Sequence, residues 1–177
     1  MLVSGEGTNL QALLDAELPV VAVASNTVGA RALDRATHAG VAAKAFPLDA
    51  FPDRAARDAA IADWLAARGV DLVVCAGYMH LLDEAFLDRF PDRVVNVHPA
   101  PLPAFPGAHP LEDLLAAGAT EAAATVHYVD EGVDTGVVIA SEPVPVLPDD
   151  TVESLRERVH EAEHRLLPEV VRELCAR

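Results

Sequence analysis

Asp71-Leu72-Val73-Val74-Cys75-Ala76-Gly77 is the stretch from which the fold can be read. Leu72 to Ala76 carry no polar side chain, so neither face of this strand is written for water, which marks a strand buried on both sides of a parallel sheet. Gly77 ends it. Upstream, between Asp53 and Arg68, the apolar positions Ala56, Ala59, Ala60, Trp64 and Leu65 fall at helical spacing, with Gly69 as the stop. Downstream, Tyr78 to Leu82 reads as an apolar loop or helical turn, and Asp83 caps a short helix through Phe90.

Further out the alternation continues on both sides. Leu2 and Val3 make a first strand, followed by the turn Ser4-Gly5-Glu6-Gly7-Thr8-Asn9 and the helical pattern Leu10, Leu13, Leu14. Glycines let backbone approach a ligand closely, and Thr8 or Asn9 is placed to cap a helix whose free N–H groups attract an anion. Such a turn equally serves to pack helix on strand. Pro19 to Ala24 reads as a strand, Ser25-Asn26 as the cap or turn into a helix over 30–39, and Ala42 to Phe46 as a third strand. Strand and helix in alternation specify right-handed βαβ units. The fold class expected is α/β, a single-domain Rossmann-like arrangement of a mostly parallel twisted sheet with helices on both faces. Ligands of such sheets lie at the carboxyl ends of the strands. The Gly-rich turn, the 78–82 loop and the segment described next all leave their strands at that edge, so one cleft is expected.

That segment is Val94-Val95-Asn96-Val97-His98-Pro99-Ala100-Pro101-Leu102-Pro103-Ala104-Phe105-Pro106-Gly107. A β-branched run ends in a loop that its prolines keep out of helix and sheet. Asn96 and His98, two apart on a strand, project from the same face. An amide N–H stabilises a developing oxyanion and an imidazole moves a proton, which suits acyl chemistry, although a buried Asn-x-His pair also serves purely structural ends. Beyond it come a helix over 110–117, a strand over 123–129 with His127, the loop Asp130 to Gly136, and a strand from Val137 in which Pro143 and Pro145 suit a sheet edge. Asp150-Thr151 and Glu153 resemble the start of a long amphipathic helix to Cys175. Its stripe is Leu155, Val159, Ala162, Leu166 and Val170, and Pro168 is expected to bend it.

The 177 residues are long enough for one well-buried core and short for two, and no internal repeat or linker divides them. No run reaches the roughly 18 to 20 apolar residues of a membrane helix, and no leader is evident, so a cytoplasmic protein is expected, with no membrane partner. Cys75 reads as a buried thiol and Cys175 as a terminal one, without metal spacing. The histidines show no ligand spacing either, and no metal is expected. A formal net charge of −15 argues against a nucleic-acid partner. His127 reads as a core or supporting residue, His109 as a border of the ligand site, and His160 and His164 as helix-surface residues.

The runs Ser4-Gly5-x-Gly7-Thr8-Asn9-Leu10-Gln11, Val73 to Gly77, Asn96-x-His98-Pro99, Leu102-Pro103-x-Phe105-Pro106-Gly107 and Val133-Asp134-x-Gly136 resemble, in unbroken order, those of the phosphoribosylglycinamide formyltransferase family. The resemblance implies transfer of a formyl group from the co-substrate 10-formyltetrahydrofolate to glycinamide ribonucleotide in purine (IMP) synthesis, without metal. It implies a nucleotide-binding half over about 1–95 and a catalytic and folate-binding half over about 96–177. Carried over, the catalytic residues are Asn96 as oxyanion partner, His98 as proton donor or relay, and Asp134, which favours the imidazolium form of His98 and orients a water. The nucleotide residues are Gly7, Thr8, Asn9 and Glu163; the folate residues are Arg54, Met79, His80, Leu81 and Leu82. His80 stands where the family often has Arg, and Ala100-Pro101 replaces a Ser/Ala-Leu pair, so a different folate loop is expected. The alternatives are a formyltetrahydrofolate deformylase, which hands the formyl group to water, and an idle folate- or nucleotide-binding module. The long last helix leaves a homodimer open.

Overall fold

The computed structural model describes residues 1–176. Seven strands form one sheet: β1 (Leu2–Val3), β2 (Ala22–Ser25), β3 (Ala42–Ala45), β4 (Val73–Ala76), β5 (Val94–His98), β6 (Glu121–Tyr128) and β7 (Val138–Pro145). Their order is β3-β2-β1-β4-β5-β6-β7. The helices are α1 (Thr8–Asp15), α2 (Arg31–His38), α3 (Arg54–Ala66), α4 (Glu84–Arg89), α5 (Pro110–Ala116) and α6 (Val152–Cys175), with a 3-10 turn at Leu48–Ala50 that the sequence reading lacks. The chain packs as two compact units, Met1–Val95 and a second that begins at Asn96. The expected α/β class, mostly parallel, is the observed one.

In the first unit β1 pairs in parallel with both β2 and β4 through Leu2, and β2 pairs in parallel with β3. The chain winds outward from β1 to β3, then returns to the other side of β1 at β4. A strand order that reverses in this way opens a crevice outside the carboxyl ends of the two central strands. Here those ends are Ser4 and Gly77, joined by the Ser4 N–H donating to Gly77 O at 3.1 Å. The β4 strand is buried at every position, as its composition requires, and burial pushes the Cys75 thiol up to about 12.

One expected cap is corrected, and one open alternative is decided. Neither Thr8 nor Asn9 caps α1: the N-cap is Gly7, at φ +71°, with no side-chain cap bond. Ser25 and Asn26 do not cap α2, whose N-cap is Ala30; Ser25 Oγ instead accepts from the Thr27 N–H at 3.0 Å, closing a local turn. The face of α3 also differs from the alanine-based reading. Its buried residues are Arg57, Asp58, Ile61, Ala62 and Leu65, because small alanines mark a core face weakly and a charged pair occupies two core positions.

In the second unit β6 and β7 pair antiparallel with a bulge at Val126/His127, and β7 with its two prolines is the edge strand. The α6 stripe predicted from Leu155 to Val170 is buried throughout, and the helix continues through Pro168. Thr151 is its N-cap in a reciprocal capping box with Ser154, and Glu153 lies in the first turn. His160 and His164 are not plain surface residues: their rings stack at 6.2 Å and both are half-buried.

Candidate active site

The second unit gathers Asn96, His98 and Asp134. β5 places Asn96 and His98 on one face two residues apart, with His98 buried and Asn96 partly open. The proline collar then bends back so that the His98 imidazole reaches the Phe105 carbonyl, Nε2 to O at 2.8 Å. With Nε2–H donating there, Nδ1 faces Asp134 Oδ2 at 3.4 Å. A proton on Nδ1 therefore has an acceptor waiting, and it can be passed on without moving the ring.

Asp134 is presented by the loop between β6 and β7 at φ +53°, and Phe105 lies at φ +56°. Two non-glycine residues in the left-handed region on either side of one imidazole are backbone strain placed at a site. The Gly107 N–H donates to Asp134 Oδ2 at 2.9 Å, and Asn96 Nδ2 lies 3.5 Å from Oδ1. Burial pushes the Asp134 carboxyl up, but the His127 ring, the Gly107 N–H and the His98 charge outweigh it and hold the group below its ordinary value. Asp134 stays a carboxylate near neutral pH.

His127, buried on β6, belongs to the same cluster. Its Nδ1 lies 2.7 Å from Tyr128 O, and its Nε2 faces both Asn96 Nδ2 at 3.2 Å and Asp134 Oδ1 at 3.5 Å. The contact with His127 fixes the Asn96 amide with its nitrogen inward. Asn96 Nδ2 thus faces His127 Nε2 at 3.2 Å and Asp134 Oδ1 at the longer 3.5 Å. The sequence signal for His127 was its place on the strand before the Asp134 loop, but the bulge that turns its ring is not visible in a period-two pattern.

Gly136 holds the loop to the hairpin. A Cβ there would stand 1.8 Å from Tyr128 O, so only glycine fits. Glu163 lies on α6 in this unit at 4% exposure, which is unusual for a carboxylate on a helix. His109 is exposed and serves as the N-cap position of α5.

The first unit holds the other predicted residues. Gly7 packs against α2, where a Cβ would meet the Ala32 Cβ at 2.6 Å and Cα at 2.8 Å, so its absence of side chain serves packing as well as positive φ. Thr8 and Asn9 are the first two residues of α1. Residues 78–82 form a loop without helix or strand. Met79 and Leu81 are 62% and 47% exposed while Leu82 is buried. Burial and the Arg57 and Arg54 charges lower the His80 imidazole below its ordinary value. Arg54 is exposed at the start of α3. The loop and the Gly-rich turn meet through Met79 N–H, which donates to Ser4 Oγ at 3.0 Å. Among the described residues no group of three or more His, Cys, Asp or Glu side chains is arranged to hold a metal ion, and no helix is long and apolar enough to cross a membrane.

Comparison with known proteins bears on this geometry. Phosphoribosylglycinamide formyltransferase of Mycobacterium tuberculosis is 45% identical over 179 residues, covering 99% of this chain and 83% of that protein. The trifunctional purine biosynthetic protein adenosine-3 of Drosophila melanogaster is 44% identical over 176 residues, and the chain spans 13% of that protein's length. Among solved structures, glycinamide ribonucleotide transformylase 1 of Symbiobacterium toebii superposes with a TM-score of 0.94 at 48% identity, over 97% of this chain and 84% of that one. Phosphoribosylglycinamide formyltransferase of Streptococcus pneumoniae does so at 0.94 and 44%, over 98% and 96%. The profile described as "Formyl transferase" matches residues 1–171, and the chain belongs to that family.

Proposed function

We propose that this chain transfers the formyl group of 10-formyltetrahydrofolate to the amine of glycinamide ribonucleotide, a step of purine synthesis. The observation that carries the reading is the cluster of Asn96, His98 and Asp134 around one imidazole, in a chain similar over most of its length to enzymes named for this transfer. The amine nitrogen attacks the formyl carbon, giving a tetrahedral species with negative oxygen and positive nitrogen. Collapse breaks the bond to N10 of the folate, and the proton lost by the amine ends on N10. An Asn96 N–H donates to the developing oxyanion in place of its long 3.5 Å contact with Asp134. His98 supplies or relays the proton, with the Asp134 carboxylate 3.4 Å from its Nδ1 as the neighbouring acceptor.

In this reading Gly7, Thr8 and Asn9 take the nucleotide phosphate on the uncapped first turn of α1, and Glu163 contacts the nucleotide. Met79, His80, Leu81 and Leu82 form the folate loop, with Arg54 as a further folate contact. Exposed apolar side chains on a loop at the carboxyl end of β4 support a flat apolar ligand there. The soluble small-molecule chemistry is consistent with a cytoplasmic enzyme.

The test follows absorbance as folate product forms from 10-formyltetrahydrofolate, with and without glycinamide ribonucleotide. Turnover that requires the nucleotide is expected. Turnover without it would assign a deformylase, and folate binding without turnover would leave a binding module.

A further inference from the structure

Loop 78–82 has no helix or strand of its own, yet the amides at its two ends are held by side chains distant in sequence. At the start, the Met79 N–H donates to Ser4 Oγ at 3.0 Å, and the Ser4 hydroxyl donates in turn to Asn26 Oδ1 at 2.5 Å. At the end, the Asp83 N–H donates to Asp58 Oδ2 at 3.1 Å. Asp58 Oδ1 accepts from Nε and Nη2 of Arg57 at 2.9 and 2.8 Å, and both side chains are fully buried. Asp83 then caps α4 by accepting the Phe86 N–H.

A buried ion pair is weak as a source of stability, because desolvation of both charges offsets their attraction. This pair is further handicapped, since Arg57 Nη1 is buried with no hydrogen-bond partner among the described residues. Apolar residues would fill those α3 positions at less cost, and Ile61 and Leu65 do so one and two turns on. What an apolar residue cannot supply is an acceptor for the Asp83 amide. A loop with exposed apolar side chains otherwise pays for its ordering when ligand arrives, and prior anchoring removes that cost.

We infer that Ser4 and Asp58 are positioning residues that pin the two ends of loop 79–82 and thereby set affinity for the folate co-substrate. The inference rests on the folate reading of that loop.

The test compares five proteins: the wild type, Ser4→Ala, Ser4→Thr, and the double variants Arg57→Met/Asp58→Asn and Arg57→Met/Asp58→Leu. Both double variants lose the ion pair, but only the Asn variant keeps an acceptor for Asp83. Folate KM, nucleotide KM, kcat and thermal midpoint are measured for each. Ser4→Ala should raise the folate KM about fivefold, the value of one ordinary hydrogen bond, while nucleotide KM and kcat stay within about twofold. Ser4→Thr should restore it. The Asn double variant should keep the wild-type folate KM and the Leu double variant should not. Unchanged folate KM in Ser4→Ala overturns the inference, as does a parallel rise in both KM values, which is what general loosening produces. Should the Leu variant fail to fold, the two Ser4 variants decide alone. A wild type without folate-dependent turnover overturns the underlying reading, and with it this one, and is recognised before any variant is made.

Discussion

Replacing Gly136 with alanine tests the central geometric claim about the site. The added Cβ would lie 1.8 Å from Tyr128 O and 2.7 Å from its carbonyl carbon, whereas Cβ contacts below 3.0 Å are essentially never seen. The separation must therefore open by at least about 1.2 Å, and both sides of the clash are backbone, which cannot rotate away. Overpacking costs about 1–3 kcal/mol where side chains can adjust, so this site should reach about 3 kcal/mol or more. For a chain of this size that lowers the thermal midpoint by roughly 6–12 °C. The movement is also aimed at the chemistry: Tyr128 O holds the His127 ring, the Tyr128 N–H donates to Val137 O at 2.9 Å, and Asp134 lies two residues before the substituted position. A displacement near 1 Å of positioned groups costs about a hundredfold in rate, so kcat/KM should fall by about that factor. Gly132→Ala is the internal control. Its Cβ would meet Thr135 Oγ1 at 2.0 Å, the end of a side chain that can rotate at the loss of its 2.7 Å bond to Asp130. That loss is worth about 1 kcal/mol, or roughly 2–4 °C. Differential scanning fluorimetry and steady-state kinetics on both variants are sufficient. A Gly136→Ala protein within 2 °C and twofold of wild type, or one less perturbed than Gly132→Ala, would refute the reasoning.

Three further outcomes are expected. Asn96→Ala should lower kcat by about a hundredfold or more with little change in thermal midpoint, since it removes the proposed oxyanion donor from a partly open position; an activity loss below tenfold in the transfer assay would count against that role. Burial, with the His164 ring and the Arg156 charge, lowers His160 below its ordinary value of 6.5, and burial lowers His164 likewise. The unfolded chain therefore binds more protons below pH 6.5, so stability should fall as pH drops through that value and level off below the folded values. His160→Gln should flatten the dependence of the urea midpoint between pH 7.5 and 5, and an unaltered slope would exclude these residues as its source. Thr151→Ala should cost about 1 kcal/mol by removing the acceptor of the Ser154 N–H, read as a lowered urea midpoint with unchanged m.

What could be read from the sequence divides along physical range. The β4 strand, the Asp83 and Thr151 caps and the α6 stripe depend on residues within one element, and their patterns carry that information directly. Pairing Asn96 with His98 needed only the strand period. Placing Asp134 beside them took the family resemblance, because no local pattern says where a loop between two strands will fold back. The α3 face was misread for a related reason: Arg57 and Asp58 look like solvated charges until the Asp83 amide, 25 residues away, is seen to need an acceptor. Glu163 shows the same thing, a carboxylate whose burial depends on what α6 packs against.

Gly136 makes the limit sharpest. In sequence it is a glycine in a turn, and glycines in turns usually supply positive φ. Its φ is not in that region; the residue is glycine because the β6 carbonyl passes where a side chain would stand. That requirement arises only from the register of β6 on β7 and the bulge at Val126/His127. The same bulge turns His127 toward Asn96. Local pattern thus supplied Asn96 and His98, and strand register supplied the constraints that hold the cluster within hydrogen-bonding distance, which is why substitutions at Gly136 should be felt at the His98 imidazole although the glycine has no side chain of its own.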